Sequence, residues 1–172
     1  MAGLIEGLLT LAHLARGDVK AKNVDLSASA RQVEQHFRTQ EPLRQVIVNI
    51  QPDMNVLGDP QLLNAVLQHL IGNAWKFSSR RKLAQIDVGC DQAADDYAVF
   101  YVRDNGAGFD MAFAHKLFGT FERLHSPGDF PGIGIGLATV KRVIELHGGH
   151  IWADSKPDHG ATFYFALKQP KR

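Results

Sequence analysis

The sequence predicts an α+β fold, and three observations carry that reading. Ile86, Val88 and Cys90 recur at every second position, as do Ala98, Phe100 and Val102, which is the period of a β-hairpin over residues 83–90 and 97–103. Leu63, Val66, Leu67, Leu70 and Ala74 recur at helical spacing behind Asp59-Pro60. A second helical run, 137–147, leads into a last strand, Thr162-Phe-Tyr-Phe-Ala-Leu167. The 172 residues suit one domain, or one domain with an appendage.

Composition narrows the classes. The chain is 45% hydrophobic and 22% charged, enough apolar material for a real core. A net charge of +1 gives no general field for nucleic acid, so no nucleic-acid partner is expected. Cys90 is the single cysteine, which excludes an intrachain disulfide; its place in the alternation reads as a buried strand position. No apolar run approaches the roughly 18 residues of a membrane span, and Leu4–Leu14 lacks the basic start and cleavage site of a signal peptide.

In chain order, residues 1–16 read as a helix with two apolar stripes, Leu4/Leu8/Leu11/Ala15 and Ile5/Leu9/Ala12. A helix so short needs a surface to pack on, either its own domain or the other half of a helical hairpin. His13 beside the stripes reads as a packing residue. A polar linker runs from Gly17 to Asn23, and Val24–Ser27 opens a helix to about Thr39. Val46–Ile50 reads as a strand and Asn55–Gly58 as a short extended piece. Asp59 is an N-cap with proline at the first helical position, and that helix runs to about Phe77. On it, His69, Asn73 and Lys76 share a stripe beside the apolar face, where polar groups need partners. They are either bonded to nearby backbone or form a ligand edge, with the Asn carbonyl toward Mg²⁺ and Lys toward phosphate.

The strand period places Asp104 on the face of Phe100 and Val102, where a carboxylate is costly unless paired. Asn105-Gly106-Ala-Gly108 follows, giving a tight turn and close backbone access. The constellation is either a capped turn or a site for a flat ligand with donor groups. Met111–Phe118 reads as a short helix with Phe113 and Leu117 inward, and the segment from Phe118 to Pro131 suits a lid. Gly132-Ile-Gly134-Ile-Gly136-Leu137 then opens the helix that ends at His147-Gly-Gly149. Unpaired N–H groups and the helix dipole make that start a phosphate seat, unless it is only a flexible loop. No Gly-Lys-Ser/Thr triplet occurs, so it is no Walker loop, and a loop rather than a strand precedes the glycines, so it is no dinucleotide fingerprint. His147 and His150 flank two glycines without an evident third ligand, and no metal site is expected there.

The set and order of these segments is more specific than any one of them. His69-Leu-Ile-Gly-Asn73-Ala-Trp-Lys76-Phe77, Asp104-Asn-Gly106-Ala-Gly108-Phe-Asp110, Lys116-Leu-Phe-Gly-Thr-Phe121-Glu-Arg123, Gly132–Ala138 and Gly160-Ala-Thr162-Phe163 resemble the N, G1, F, G2 and G3 boxes of sensor histidine kinases, over about residues 25–168. The wording around Arg123-Leu-His-Ser and His147-Gly-Gly-His-Ile-Trp152 is similar to the phytochrome-like, PAS-linked branch. Residues 1–24 resemble the second helix of a dimerisation and phosphoacceptor hairpin plus linker, and 25–172 the catalytic domain.

The resemblance implies a two-layer α/β sandwich of the Bergerat type, with an appended N-terminal helix, that binds ATP and Mg²⁺ for a two-component signalling kinase. Asp104 would accept from the adenine amino group, with Gly106 and Gly108 allowing close approach and Thr162 supporting the pocket. Asn73 would hold Mg²⁺, Lys76 would meet phosphate and Phe77 would border the nucleoside. Gly132, Gly134 and Gly136, running into Leu137, would hinge the lid and seat phosphate. Phe121 and Arg123 belong to the box at the lid's root, with Arg123 toward phosphate. Implied partners are the phosphoacceptor domain of the same kinase, a response-regulator receiver domain, and a second copy through residues 1–16. A cytoplasmic location is implied, whether the parent is soluble or membrane-anchored.

Departures qualify the match. His69 stands where the family usually has asparagine, which bears on Mg²⁺ use; Ile133 replaces a common threonine; Asp158 occupies a usual glycine. No histidine has the acidic residue and proline that follow the family's phosphoacceptor, so the acceptor is expected upstream of Met1 and this chain is not expected to phosphorylate itself. The alternative is a degenerate module that binds nucleotide or a partner without transferring phosphate. A third reading, an ATP-hydrolysing machine of the wider superfamily, is opposed by the box at Phe118–Arg123.

Overall fold

Two of the α-helices begin at an aspartate that caps them. The computed structural model describes residues 5, 8–10, 12, 14–94, 96–132 and 134–171. Helix α1 (Leu26–Gln40) starts at Asp25, whose side chain accepts the Ala28 N–H at 2.9 Å. Helix α2 (Pro60–Phe77) starts at Asp59, which accepts the N–H groups of Gln61 and Leu62 at 3.0 and 3.3 Å. Helix α3 (Gly136–Leu146) has no side-chain cap of this kind, its N-cap residue being Ile135.

The strands are β1 (Lys22–Asp25), β2 (Val46–Ile50), β3 (Asn55–Gly58), β4 (Ala84–Ala94), β5 (Tyr97–Asp104), β6 (His150–Lys156) and β7 (Gly160–Lys168). One sheet has the order β2-β4-β5-β7-β6; β2 pairs parallel to β4, and the other pairs are antiparallel. β1 and β3 form a separate antiparallel pair. Alternate residues of the large sheet, among them Ile86, Val88, Phe100, Val102, Phe163 and Phe165, join Leu63, Leu67, Leu70, Val140 and Ile144 in one core. The helices therefore cover one face of the sheet, as in the expected two-layer α+β sandwich. The other face carries a row of rings: His150 stacks on Trp152, Trp152 on Tyr164, and Tyr164 lies beside Tyr101.

His147 ties two helices together. Its Nε2 accepts the Asp59 N–H at 2.9 Å and its Nδ1 bonds the Val143 carbonyl at 2.7 Å, joining the end of α3 to the start of α2. In the N-terminal helical segment Leu14 is buried in the core, whereas Ile5, Leu8 and Leu9 are exposed. The readings of His13, Leu4, Leu11 and Ile133 fall outside the described residues.

Three local expectations change. The stretch read as linker and helix start contains β1, because Lys22–Asp25 finds a partner in β3, distant in sequence. Met111–Lys116 is a 3-10 helix, and Phe113 is 50% exposed while Leu117 is buried. At three residues per turn, positions four apart no longer share a face, so the inward pair is split. Cys90 keeps the inward parity but is only half-buried, since the parallel pairing of β2 ends at Val88.

Candidate functional site

The parity of β5 settles Asp104 first. It follows Ala98, Phe100 and Val102 on the covered face and is 7% exposed. Its Oδ1 accepts the Gly106 N–H at 2.8 Å. Burial pushes its pKa up to about 6, with the Gly106 and Ala161 N–H groups and the Arg81 charge acting the other way. The turn beyond it is held close: a Cβ on Gly108, at φ 62°, would lie 2.1 Å from the Lys156 carbonyl oxygen. Arg81 locks the same turn from outside, donating to the carbonyls of Asn105, Gly106 and Asp158.

Helix α2 supplies the adjoining wall. Ala65, His69, Asn73 and Lys76 recur at helical spacing and line one cavity of about 560 Å³ with Phe77, Asp104 and Gly108. Arg123, Gly132, Gly134, Gly136 and Leu137 also line it. Lys76 Nζ stands 4.6 Å from the centre of the Phe77 ring, and a Cβ on Gly132 would be 3.0 Å from it. The Arg123 guanidinium donates to the carbonyls of Gly132 and Phe130. Burial lowers the Lys76 pKa, and the Arg123 charge lowers it further. Among the described residues no salt bridge reaches either cation. The cavity thus has a buried carboxyl in one part and two cations without a carboxylate partner in another, beside the uncapped start of α3.

The structure brings most of the expected residues to this cavity, but not all. Gly106 lies outside the lining and acts by its N–H on Asp104; a Cβ there would meet the Phe77 carbonyl at 2.3 Å. Phe121 is 60% exposed and contributes a backbone bond, its N–H donating to Gly134 at 2.8 Å. Thr162 sits on the other face of β7, where its hydroxyl accepts from Arg103 Nε at 3.2 Å; its neighbours Ala161 and Phe163 line the cavity instead. The two-residue period could have shown that, since Thr162 and Phe163 cannot face the same way. Also absent from the sequence-based set were Gln68, Phe109, Glu122 and His125. Ala65 could have been reached by extending the α2 stripe one turn toward its start.

The residues fit a hard cation only in part. Asn73 offers an amide oxygen and His69 a ring nitrogen at the same wall, and among the described residues no cluster of three His, Cys, Asp or Glu could hold a metal unaided. Mg²⁺ bound through one or two protein groups and substrate phosphates suits such a wall.

Comparison with known proteins agrees with this geometry. Residues 58–171 match the family model described as histidine kinase-, DNA gyrase B-, and HSP90-like ATPase. The chain is 44% identical over 110 residues to cyanobacterial phytochrome A of Nostoc sp., covering 64% of this chain and 14% of that protein. It is 31% identical over 170 residues to cyanobacterial phytochrome B of the same organism, covering 98% and 22%. Adaptive-response sensory kinase SasA of Thermosynechococcus vestitus is 31% identical over 143 residues, covering 83% and 35%. The chain therefore spans a minor part of these relatives. In fold it is similar to the mycobacterial sensor histidine kinase MprB, with a TM-score of 0.73 at 24% identity over 88% of this chain and 99% of that one. Full-length ShkA, solved with AMPPNP, gives 0.77 at 23% identity over 99% and 37%. With the five-stranded sheet, the cavity between helices and lid, and this family match, the chain belongs to the histidine kinase-, DNA gyrase B- and HSP90-like ATPases, as the ATP-binding catalytic domain of a sensor histidine kinase.

Proposed function

We propose that the cavity holds ATP with its adenine at Asp104 and its phosphates toward Lys76, Arg123 and the start of α3, and that the γ-phosphate passes to a histidine on a separate phosphoacceptor domain. The supporting observation is the pairing, within one cavity of about 560 Å³, of a buried carboxyl with two cations that have no salt bridge among the described residues. That volume lies within the ordinary range for small-molecule sites. Ionised Asp104 accepts a hydrogen bond from the exocyclic amine, beside a turn that Gly108 lets pack against the Lys156 carbonyl. Lys76 and Arg123 offset phosphate charge, and Arg123 exchanges lid carbonyls for phosphate oxygens.

Asn73 is the residue that would hold Mg²⁺, with His69 beside it; the ion supplies charge neutralisation across the phosphate chain. In the transfer, a ring nitrogen of the acceptor histidine bonds to the γ-phosphorus, the bond to the bridging oxygen breaks, and ADP leaves with that electron pair. The protein's part is to position and to neutralise charge. The onward partner is a response-regulator receiver domain. Exposed Ile5, Leu8 and Leu9 suit pairing with the acceptor hairpin or a second copy.

Calorimetric titration of ATP with and without Mg²⁺, on the native chain and on Asp104→Asn, tests the site. Metal-dependent binding weakened by the substitution supports it, and absence of binding to the native chain overturns it. The second reading, a module that binds nucleotide without transferring phosphate, rests on His69 in the cavity wall; a Cβ on Gly136 would lie 3.0 Å from its Nδ1. It predicts binding without transfer to any acceptor domain.

A further inference from the structure

Three rings meet where the lid rests on the body of the domain. His125 lies 5.1 Å from Phe77 and 5.0 Å from Phe130, and Phe77 lies 5.0 Å from Phe130. Phe77 ends α2, whereas His125 and Phe130 belong to the segment between Arg123 and the glycine run. Phe130 is buried at 3% exposure; Phe77 and His125 are half-buried, and both line the cavity. The segment is closed on itself and onto α2's end. Ser126 donates to Asp129 at 2.7 Å, Arg80 bonds Asp129 at 3.2 Å, and the Arg80 guanidinium stands 4.9 Å from the centre of the Phe130 ring. The place of His125 in the cavity wall is therefore built by several independent contacts.

Chemistry narrows what this wall can face. Phosphates are drawn to Lys76 and Arg123, and among the described lining residues Asp104 is the one buried carboxylate. Burial lowers the His125 pKa, and the charges of Lys76 and Arg80 act the same way, against the Gly108 backbone and Asp129. Burial therefore favours the uncharged ring over the charged one. An uncharged ring beside a phenyl ring offers the flat surface on which a base or sugar packs.

The geometry points to His125 as a nucleoside-contacting residue of the lid: with Phe77 it forms the aromatic wall against which the base or ribose packs, and Phe130 buttresses both rings. This rests on the nucleotide reading of the cavity. The competing role is purely structural, with His125 only holding the lid in place.

The two roles separate by ligand. Mg²⁺–ADP and Mg²⁺–tripolyphosphate are titrated into the full chain, native, His125→Ala and His125→Phe. The expected result is a roughly tenfold loss of ADP affinity in His125→Ala, with tripolyphosphate affinity unchanged and ADP affinity largely recovered in His125→Phe. Unchanged ADP affinity in His125→Ala overturns the inference, as does equal loss for both ligands or failure of His125→Phe to recover. If ADP binds the native chain and Asp104→Asn weakens it while His125→Ala does not, the nucleotide reading stands and this inference alone falls. If neither ligand binds the native chain, both fall.

Discussion

Asp104 is a carboxyl kept in a place that resists its charge. Replacing it by asparagine preserves shape and would remove the charge-assisted bond proposed to a nucleotide amine. The expected cost is about 1.5–3 kcal/mol, or roughly tenfold or more in ATP affinity by calorimetry. The pH dependence has a definite sign. Burial raises its pKa in the folded chain to about 6, above the ordinary 3.8, so the folded state holds this proton more tightly than the unfolded chain. Its contribution to folding is favourable below about pH 4 and is lost as pH rises from 4 through 6. Nucleotide binding runs the other way, because the ionised form is the stronger acceptor. ADP affinity is expected to rise between pH 5.5 and 7.5 in the native chain, and the part due to Asp104 to vanish in Asp104→Asn. Equal pH profiles for the two would remove Asp104 from the site.

The elements are set by a few end residues. Asp59 accepts from Gln61 and Leu62 at the start of α2 and from the Lys20 N–H at 3.1 Å. Burial works against its ionised form, but the N–H groups of Lys20, Leu62 and Gln61 outweigh it and hold the pKa below the usual carboxylate range. Asp59→Ala is expected to cost about 1 kcal/mol in denaturant unfolding. Because the folded pKa is depressed, that difference should shrink as pH falls below about 4. Gly134 governs the lid: its φ is 75°, and a Cβ there would stand 2.8 Å from the Glu122 carbonyl oxygen. Gly134→Ala is expected to strain this crossing by about 1–2 kcal/mol, to lower Tm by no more than the roughly 2–8 °C that such strain implies, and to weaken ATP binding. A large fall in Tm would place the glycine in the domain's stability instead.

At the scale of the whole molecule, binding and transfer are expected to separate. No histidine in the chain has the acidic residue and proline that would mark an acceptor. Incubated with labelled ATP and Mg²⁺, the chain is expected to stay unlabelled, and to label a phosphoacceptor domain supplied in trans. Label on the chain itself would place an acceptor within it. Chelating Mg²⁺ should abolish transfer and leave weakened nucleotide binding.

Much of this architecture can be read along the chain, and the residues show why. Asp59-Pro60, the α2 stripe and the alternation of β4 and β5 are local patterns, imposed by hydrogen-bond geometry within a few residues. Asp104 could be placed inward from Phe100 and Val102 alone. The five glycine-bearing and polar segments could be recognised in order without knowing how they meet. What tertiary structure decided depends on partners distant in sequence. β1 exists because β3 offers it an edge, and His147 is a structural link because Asp59, 88 positions away, presents its N–H. The neighbours of Thr162 rather than Thr162 itself reach the cavity, because the register against β5 fixes which face of β7 turns inward. His125 joined the wall through Phe77 and Phe130, two rings that no sequence period relates to it. Local periodicity thus determined the elements and most of the polar set, while burial and long-range pairing decided which of those groups share one cavity.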